Sequence, residues 1–468
     1  MSSMPTETTD KPSQLSGAAW PSRWNTLSHG IATGRYIDPE FAKLEFDKLW
    51  GKVWQAAARL DEIPEPGDYT VYEIGTQFIV IVRVDADRVK AYHNVCPHRA
   101  TALAEGIGTF PGKNIICPFH GWRWNLYGQN QFVLERQEFR DGNLRDSDVA
   151  LKEVKHEVFA GFVFINLDPG ASPFSEHIAP VRELVEGLAL DQMHHYWWKA
   201  ISTPSNWKVA QEAFFEGYHV PATHPQLEPH SAEFIYQPQP DAKPDFAHWN
   251  IEYEVFPRGH GRFYGKNTPI KGNVRHSGDA VEAMAARLNL LAEGMDAQVL
   301  AEDVAVVRSL KGKPIPEGSS IGGEYVKALY AKAAAEQRPM PRPTAENIEM
   351  WGGQVFIFPN VMIMPQGGNA MIYRSRPHAT DPNRCTFEIL STRTYPAGSK
   401  PPRAAVQTVT DRSDPAQLRE IPRQDLRNIP RMQRGLHSSG IRHIWLASHH
   451  EKMIMNMHKE LDRYLQTR

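Results

Sequence analysis

Cysteine is scarce in this sequence. Cys96, Cys117 and Cys385 are the only three in 468 residues, too few for a disulfide framework. That scarcity predicts a reducing, cytoplasmic setting. Net charge is also nearly absent: 52 Lys and Arg against 54 Asp and Glu leave −2. A nucleic acid is therefore not expected as the main partner, because phosphate binding leaves a basic excess. No apolar run reaches the roughly 18 residues that a membrane span requires. The opening stretch MSSMPTETTDKPSQLSG lacks the apolar segment of a signal peptide, and its Ser, Thr and Pro predict a disordered tail over 1–20. Neither a Gly-x-Gly-x-x-Gly fingerprint nor a phosphate-binding loop occurs, so nicotinamide binding by this chain is not expected.

What is present suits a globular protein of several domains, with 41% hydrophobic and 23% charged residues. Asp38-Pro39-Glu40 opens a helical pattern carrying Phe41, Leu44, Phe46, Leu49 and Trp50, with Asp38 as N-cap and Pro39 in the first turn. After Pro64-Glu65-Pro66-Gly67 the period changes to two. Tyr69 to Ile74, Phe78 to Val84 and Val89 to Tyr92 predict strands, followed by others at Ile115-Ile116, Gly121 to Leu126 and Val158 to Asn166. Residues 51–167 thus predict a compact all-β unit.

Beyond Asp168-Pro169-Gly170, helices are expected over 176–190, 206–219 and the Ala-rich 279–301, then a Pro- and Gly-punctuated connection over 311–345. Three β-like runs follow, Gln354 to Met364, Ala370 to Arg376 and Cys385 to Tyr395. A last helix carries Met453, Ile454, Met457, Leu461 and Leu465 at helical spacing. Strands grouped with long helices predict an α+β second domain. Cys385, in an alternating run with Phe387 and Ile389, is expected to be an ordinary buried thiol.

Two groups of residues carry chemistry. The first is Cys96-Pro97-His98 followed by Cys117-Pro118-Phe119-His120-Gly121-Trp122. Each loop offers one thiolate and one imidazole, the donors that a soft or borderline metal prefers. In a Rieske centre two Cys hold one iron of a 2Fe–2S cluster and two His hold the other. A structural zinc site could use the same four residues, although zinc fingers usually pair Cys with Cys and His with His along the chain. The second group is Glu212, Glu216 and His219, at helical spacing, with His224 beyond Pro221. Pro221 disfavours a continuing helix through Val220, so His224 is expected to project from the next turn and converge with His219.

The stretch 96–122 resembles the signature of Rieske-type oxygenases, and Tyr36 to Gly128 is similar to the N-terminal part of their large (alpha) subunits, as in aromatic ring-hydroxylating dioxygenases. The resemblance implies an all-β Rieske domain over 51–167, after a helix within 21–50 that packs on the catalytic domain. It implies an α+β helix-grip catalytic domain, an antiparallel sheet with helices, over 168–468. Cys96, His98, Cys117 and His120 would hold the 2Fe–2S cluster. His219, His224 and a carboxylate would hold a mononuclear Fe(II). Asp425, in Arg423-Gln424-Asp425-Leu426 ahead of Gln433-Arg434-Gly435-Leu436, matches the family's Asp-containing helix, with Asp411 and Asp414 as fallbacks.

Glu216 aligns with the family's bridging acid, more often Asp, which joins a cluster histidine of one subunit (His120) to an iron-ligand histidine of the next (His219). The implied activity uses O2 and electrons from NAD(P)H, through a separate reductase or ferredoxin, to hydroxylate or cis-dihydroxylate an aromatic or alicyclic compound. The alternative is monooxygenation with N- or O-dealkylation of a quaternary ammonium or methoxy compound, toward which Glu216 points. A homotrimer is implied, with or without a small beta subunit. The loops lack the extra Cys pair and Ser of respiratory Rieske proteins, so a low potential is expected. An electron carrier without an oxygenase site and a zinc-stabilised binding module are the contrasting readings. The segment 279–335 is expected to be an insertion that caps the pocket or mediates assembly.

Overall fold

A computed structural model describes residues 20–228, 251–265 and 279–466, together with Ile235. Residues 1–19 of the predicted tail lie outside the described residues, while its last residue, Trp20, is half-buried and donates from Nε1 to Asp462 Oδ1 at 3.0 Å. The helix Pro39–Glu45 starts as expected: the Asp38 side chain accepts from Glu40 N and Pro39 occupies the first turn. Its continuation Phe46–Trp50 widens into a π-helical turn that buries Leu49 and Trp50.

The β-rich part contains three small sheets. Val89–His93, Gln77–Arg83, Asp68–Ile74 and Ile107–Thr109 form one, in that order. Asn114–Ile116, Arg123–Asn125 and Asn130–Phe132 form a second. Val80, Val82, Tyr92, Ile115 and Trp124 pack together around Cys96 and Cys117. The run predicted as one strand, Val158 to Asn166, belongs instead to a hairpin, Lys155–Phe159 against Phe162–Asn166, whose outer partner is Gln55–Arg59. Ala160 and Gly161 turn the chain with φ of 52° and 77°, the left-handed pair that a two-residue hairpin needs.

The second part is built on eight strands in the order Ile251–Val255, Gly261–Gly265, Gln354–Ile357, Val361–Gln366, Asn369–Pro377, Cys385–Arg393, His194–Thr203 and Val406–Val409. The sheet is antiparallel as predicted except at its edge, where His194–Thr203 and Val406–Val409 run parallel. Cys385 is buried in it, its thiol pushed up to about 12 by burial. Helices Glu420–Leu436 and Lys452–Gln466 bury the faces Asp425, Leu426, Ile429 and Gln433, and Met453, Met457 and Leu461.

The predicted helix over 206–219 stops at Glu212. Asn206 caps Trp207–Glu212 through Lys208 N, and Lys208 Nζ reaches Glu45 Oε1 at 2.6 Å in a buried ion pair. The helix then tightens, with Phe214 N donating to Gln211 O and Phe215 N to Glu212 O, and Gly217 N leaves it for the Tyr253 hydroxyl at 3.1 Å. The expected connection over 311–345 also differs: it holds a fifteen-residue helix, Ile321–Ala335, capped by the Ser320 side chain. Ala280–Met295 packs on Glu420–Leu436 so closely that a Cβ on Gly294 would lie 2.7 Å from Ile421 Cδ1.

Candidate metal centres

Two loops of the same build form the first candidate centre. Cys96 N donates to Thr101 O and Ala100 N to Cys96 O; Cys117 N donates to Trp122 O and Gly121 N to Cys117 O. Each loop closes through a left-handed residue, Ala100 at φ 59° and Gly121 at φ 70°. The result puts each Cys in the core and each His at the rim. The cysteines are buried and free, the histidines half-buried. The rings of His98 and His120 lie 4.5 Å apart, and His98 stacks on Trp122 at 4.8 Å.

Burial pushes the Cys96 thiol up to about 11; backbone N–H groups of His98 and Arg99 oppose this, and Cys117 beside it adds to it. Burial likewise lowers the pKa of His98, helped by His120 and Arg99, and favours its neutral form. Its Nδ1 is buried without a hydrogen-bond partner among the described residues. Two thiols and two imidazoles, one with an orphaned nitrogen, fit a group that takes sulfur on one side and nitrogen on the other.

The second centre sits where the broken helix turns. His219 and His224 flank a single helical turn, Val220–Thr223, with Pro221 in its first turn. Pro221 thus helps to start a new turn, and the rings it separates come to 5.4 Å. The helix Glu420–Leu436 brings Asp425 to them, with Oδ1 at 3.0 Å from His224 Nε2 and 3.7 Å from His219 Nε2. The fallbacks Asp411 and Asp414 make turns instead, accepting from Ser413 N and Ala416 N. His219, His224 and Asp425 present ligand atoms within 4.8 Å of one another, the one such group of three found among the described residues.

Both rings are fixed from behind. His219 Nδ1 lies 2.8 Å from Glu216 Oε1, while Glu216 Oε2 accepts from His219 N at 2.9 Å. His224 Nδ1 lies 2.6 Å from Gln424 Oε1, which also accepts from Gln226 Nε2. With Nδ1–H donating, each Nε2 is left as a ligand atom beside Asp425. Burial opposes charge on His219, yet Glu216 and Asp425 outweigh it and raise its pKa to about 9. The carboxylates favour positive charge at the point of convergence, and two imidazoles with one carboxylate fit an octahedral metal bound on one face.

Glu212 does not join this group. Its carboxylate accepts from the Tyr36 hydroxyl at 2.9 Å and lies 2.8 Å from His458 Nε2, and burial pushes it up to about 8 against the pull of Tyr36 and Lys208. Gln424 and Tyr373 were not singled out by the sequence reading. Gln424 neighbours Asp425 but carries no spacing signal, and Tyr373, on the strand Asn369–Pro377, lines the cavity beside His219, His224 and Asp425 only because the sheet brings it there.

The three converging residues lie in the wall of a cavity of about 230 Å³, otherwise lined largely by Phe214, Leu288, Leu291, Met295, Met364 and Ile421. Ala280–Met295 supplies three of these, so part of the segment 279–335 lines the pocket. Glu216, His219 and Asp425 also border a second cavity, of about 790 Å³, whose wall includes the exposed Tyr218, Met432 and Trp445.

The chain belongs to the family of ring-hydroxylating alpha subunits: the model for "Ring hydroxylating alpha subunit (catalytic domain)" matches residues 190–467, and that for "Rieske [2Fe-2S] domain" matches residues 53–139. Its cofactors are accordingly a Rieske 2Fe–2S cluster and a mononuclear iron. Among relatives, the carnitine monooxygenase oxygenase subunit of Escherichia coli (strain K12) is 33% identical over 195 residues, 41% of this chain and 50% of that protein. The chloroplastic choline monooxygenase of Spinacia oleracea is 30% identical over 204 residues, 42% of this chain and 45% of that protein. The matches thus span about half the length of these curated relatives. The quaternary ammonium Rieske monooxygenase CntA in complex with L-carnitine shares the fold, at TM-score 0.60 and 16% identity over 94% of this chain and 96% of that one. Naphthalene 1,2-dioxygenase from Rhodococcus sp. bound to indole does so at 0.61 and 17%, over 93% and 94%.

Proposed function

We propose that the chain is the oxygenase component of a Rieske non-haem iron system that inserts oxygen from O2 into a small organic substrate with a largely apolar body. The observation that carries this reading is the convergence of His219, His224 and Asp425 in the wall of an apolar cavity, in a chain that also brings two Cys-His loops together. Cys96, His98, Cys117 and His120 hold the cluster, over residues 51–167; His219, His224 and Asp425 hold the iron, over 168–468. When bound, the iron supplies O2 activation and the cluster supplies electrons one at a time.

The chain's own residues do the rest. Glu216 and Gln424 hold the imidazoles so that each presents Nε2. His219, His224 and Asp425, all in the cavity wall, would hold the iron from one side and leave the cavity for O2 and substrate. Leu288, Leu291, Met295 and Ile421 place the substrate and exclude water. With no dinucleotide fingerprint in the chain, NAD(P)H is oxidised by a separate reductase, directly or through a ferredoxin.

Hydroxylation of an aromatic or alicyclic ring is the first reading of the outcome. N- or O-dealkylation is the second, supported by the carnitine and choline monooxygenases among the relatives and by Glu216 at the bridging position. Glu216 carries electrons between subunits, from His120 of one to His219 of the next. The protein is then a ring, most simply a trimer, in the cytoplasm. No helix of the described residues is long and apolar enough to cross a membrane.

The test is anaerobic reconstitution followed by iron and acid-labile sulfide analysis, then O2 uptake and mass spectrometry with aromatic, alicyclic and methylammonium compounds, NADH and a surrogate reductase. A sulfide-bridged pair plus one further iron per chain, with substrate-dependent O2 uptake, is expected. A colourless protein holding zinc would overturn the assignment, as would a chain that keeps the cluster but takes up no further iron.

A further inference from the structure

Outside its candidate metal ligands, the wall of the 230 Å³ cavity is mostly apolar, and Arg287 is the one arginine or lysine among its described residues. A cation at an apolar wall is costly to desolvate, so what it faces is informative. Arg287 lies on Ala280–Met295, one turn before the cavity-lining Leu291. Its Nη1 donates to Leu227 O at 2.6 Å, in the turn that Leu227 N closes on His224 O. Glu228 is the nearest carboxylate among the described residues, with Oε1 4.0 Å from Nη2, at the outer limit of an ion pair and beyond a hydrogen bond. A guanidinium carries five N–H donors in a planar fork, and among the described residues one of them is engaged in a hydrogen bond.

Resting on the oxygenase reading above, we propose that Arg287 is the anchor for a substrate carboxylate, so that the natural substrate is an organic compound bearing one carboxylate: that group at Arg287 and the remainder of the molecule against Leu288, Leu291 and Met295, extending toward His219, His224 and Asp425. The planar fork matches a carboxylate in a bidentate fashion. A single guanidinium with Glu228 close by suits one negative charge and would leave a phosphate dianion under-compensated. Burial draws the pKa of Arg287 down and Glu228 offsets only part of that, which agrees with a cation awaiting a closer counter-charge. A clamp on the His224 turn would need only the bond to Leu227 O. It gives no reason for an arginine to stand in the cavity wall.

The test is calorimetric titration of the anaerobic holoprotein with matched pairs, benzoate against benzamide and γ-butyrobetaine against choline. At least one acid is expected to bind tenfold or more tightly than its carboxylate-free partner. Arg287→Met should abolish that preference, whereas Arg287→Lys, which keeps the charge and loses the fork, should retain part of it. Failure of both acids to bind, equal binding within each pair, or a preference that survives in Arg287→Met overturns the proposal. The wild-type comparison decides alone if Arg287→Met does not fold. The two readings fail separately. Acids that bind through Arg287 but support no O2 uptake with NADH and reductase sink the oxygenase and leave the anion site. Uptake confined to compounds whose binding ignores Arg287 sinks the anion site and leaves the oxygenase.

Discussion

His219 and His224 each use one ring nitrogen on a hydrogen bond from behind, and the two partners differ in charge. Glu216 sets a carboxylate against Nδ1 of His219, while Gln424 sets a neutral amide against Nδ1 of His224. The first partner both orients its ring and adds negative charge to it; the second only orients. Substitution of such partners typically costs about 10–100-fold in metal affinity or activity. Gln424→Leu is therefore expected to weaken iron retention by roughly that factor, read by competition with a chelator, with the cluster's visible spectrum unchanged. Glu216→Gln should retain the iron better than Gln424→Leu, because an amide oxygen can still accept from Nδ1, yet slow turnover severely. Equal iron retention in Gln424→Leu and wild type would show that His224 needs no such support. The pair His219 and His224, with Asp425, was legible in the sequence through spacing and resemblance. Gln424 was not, because nothing in a linear sequence marks which residue will stand behind a ring.

Among the elements, the sequence was most legible where one periodicity ran unbroken. Asp68–Ile74, Gln77–Arg83 and Lys452–Gln466 fall close to their predicted places. Legibility failed where tertiary partners interrupted a pattern. His194–Thr203 was missed because its register shifts between His195 and Trp197, and that bulge hides the alternation of a strand. The helix predicted over 206–219 ends early because the backbone and side chains of Gly217, Glu216 and His219 find partners other than the helix. The sheet also carries a feature invisible to periodicity, the buried pair Arg374–Glu388, with Arg374 Nε 2.7 Å from Glu388 Oε2 and Nη1 donating to Ala56 O and Ala57 O at the small neighbouring sheet. Burial alone would raise the Glu388 carboxyl, but Arg374 and Arg376 outweigh it and hold it at about 2. Glu388→Gln leaves two guanidinium groups without their counter-charge and is expected to cost about 3–5 kcal/mol, seen as a lower melting temperature at pH 7. The folded pKa lies below the ordinary 4.5, so this stabilisation is present above about pH 4.5 and is lost as pH falls through about 2. The wild-type advantage over Glu388→Gln should accordingly shrink on acidification across that window. A gap that stays constant from pH 5 to pH 3 would contradict the assignment.

For the molecule as a whole, the question is which cluster serves which iron. One exposed apolar surface adjoins the Cys-His loops, where Val95, Ile116 and Phe119 are each more than a third exposed. Another borders the 790 Å³ cavity on which Glu216 opens, where Tyr218, Met432 and Trp445 are at least half exposed. Exposed apolar patches of this kind mark interaction sites, and placing the first against the second in a ring of identical chains would bring His120 of one subunit toward Glu216 of the next. The arrangement makes a prediction that no single-site variant can test. Cys96→Ser chains lack a working cluster and His219→Ala chains lack a working iron, so each alone should be inactive. Dissociated and reassembled together at equal ratio, a fraction of their interfaces pairs an intact cluster with an intact iron across the boundary. Product formation should then reappear in the mixture, rise with the time allowed for exchange of subunits, and vanish when the Cys96→Ser chain, which keeps its iron, also carries Glu216→Gln. A mixture shown by native mass spectrometry to contain hetero-oligomers, yet as inactive as its components, would mean that electrons travel only within one chain.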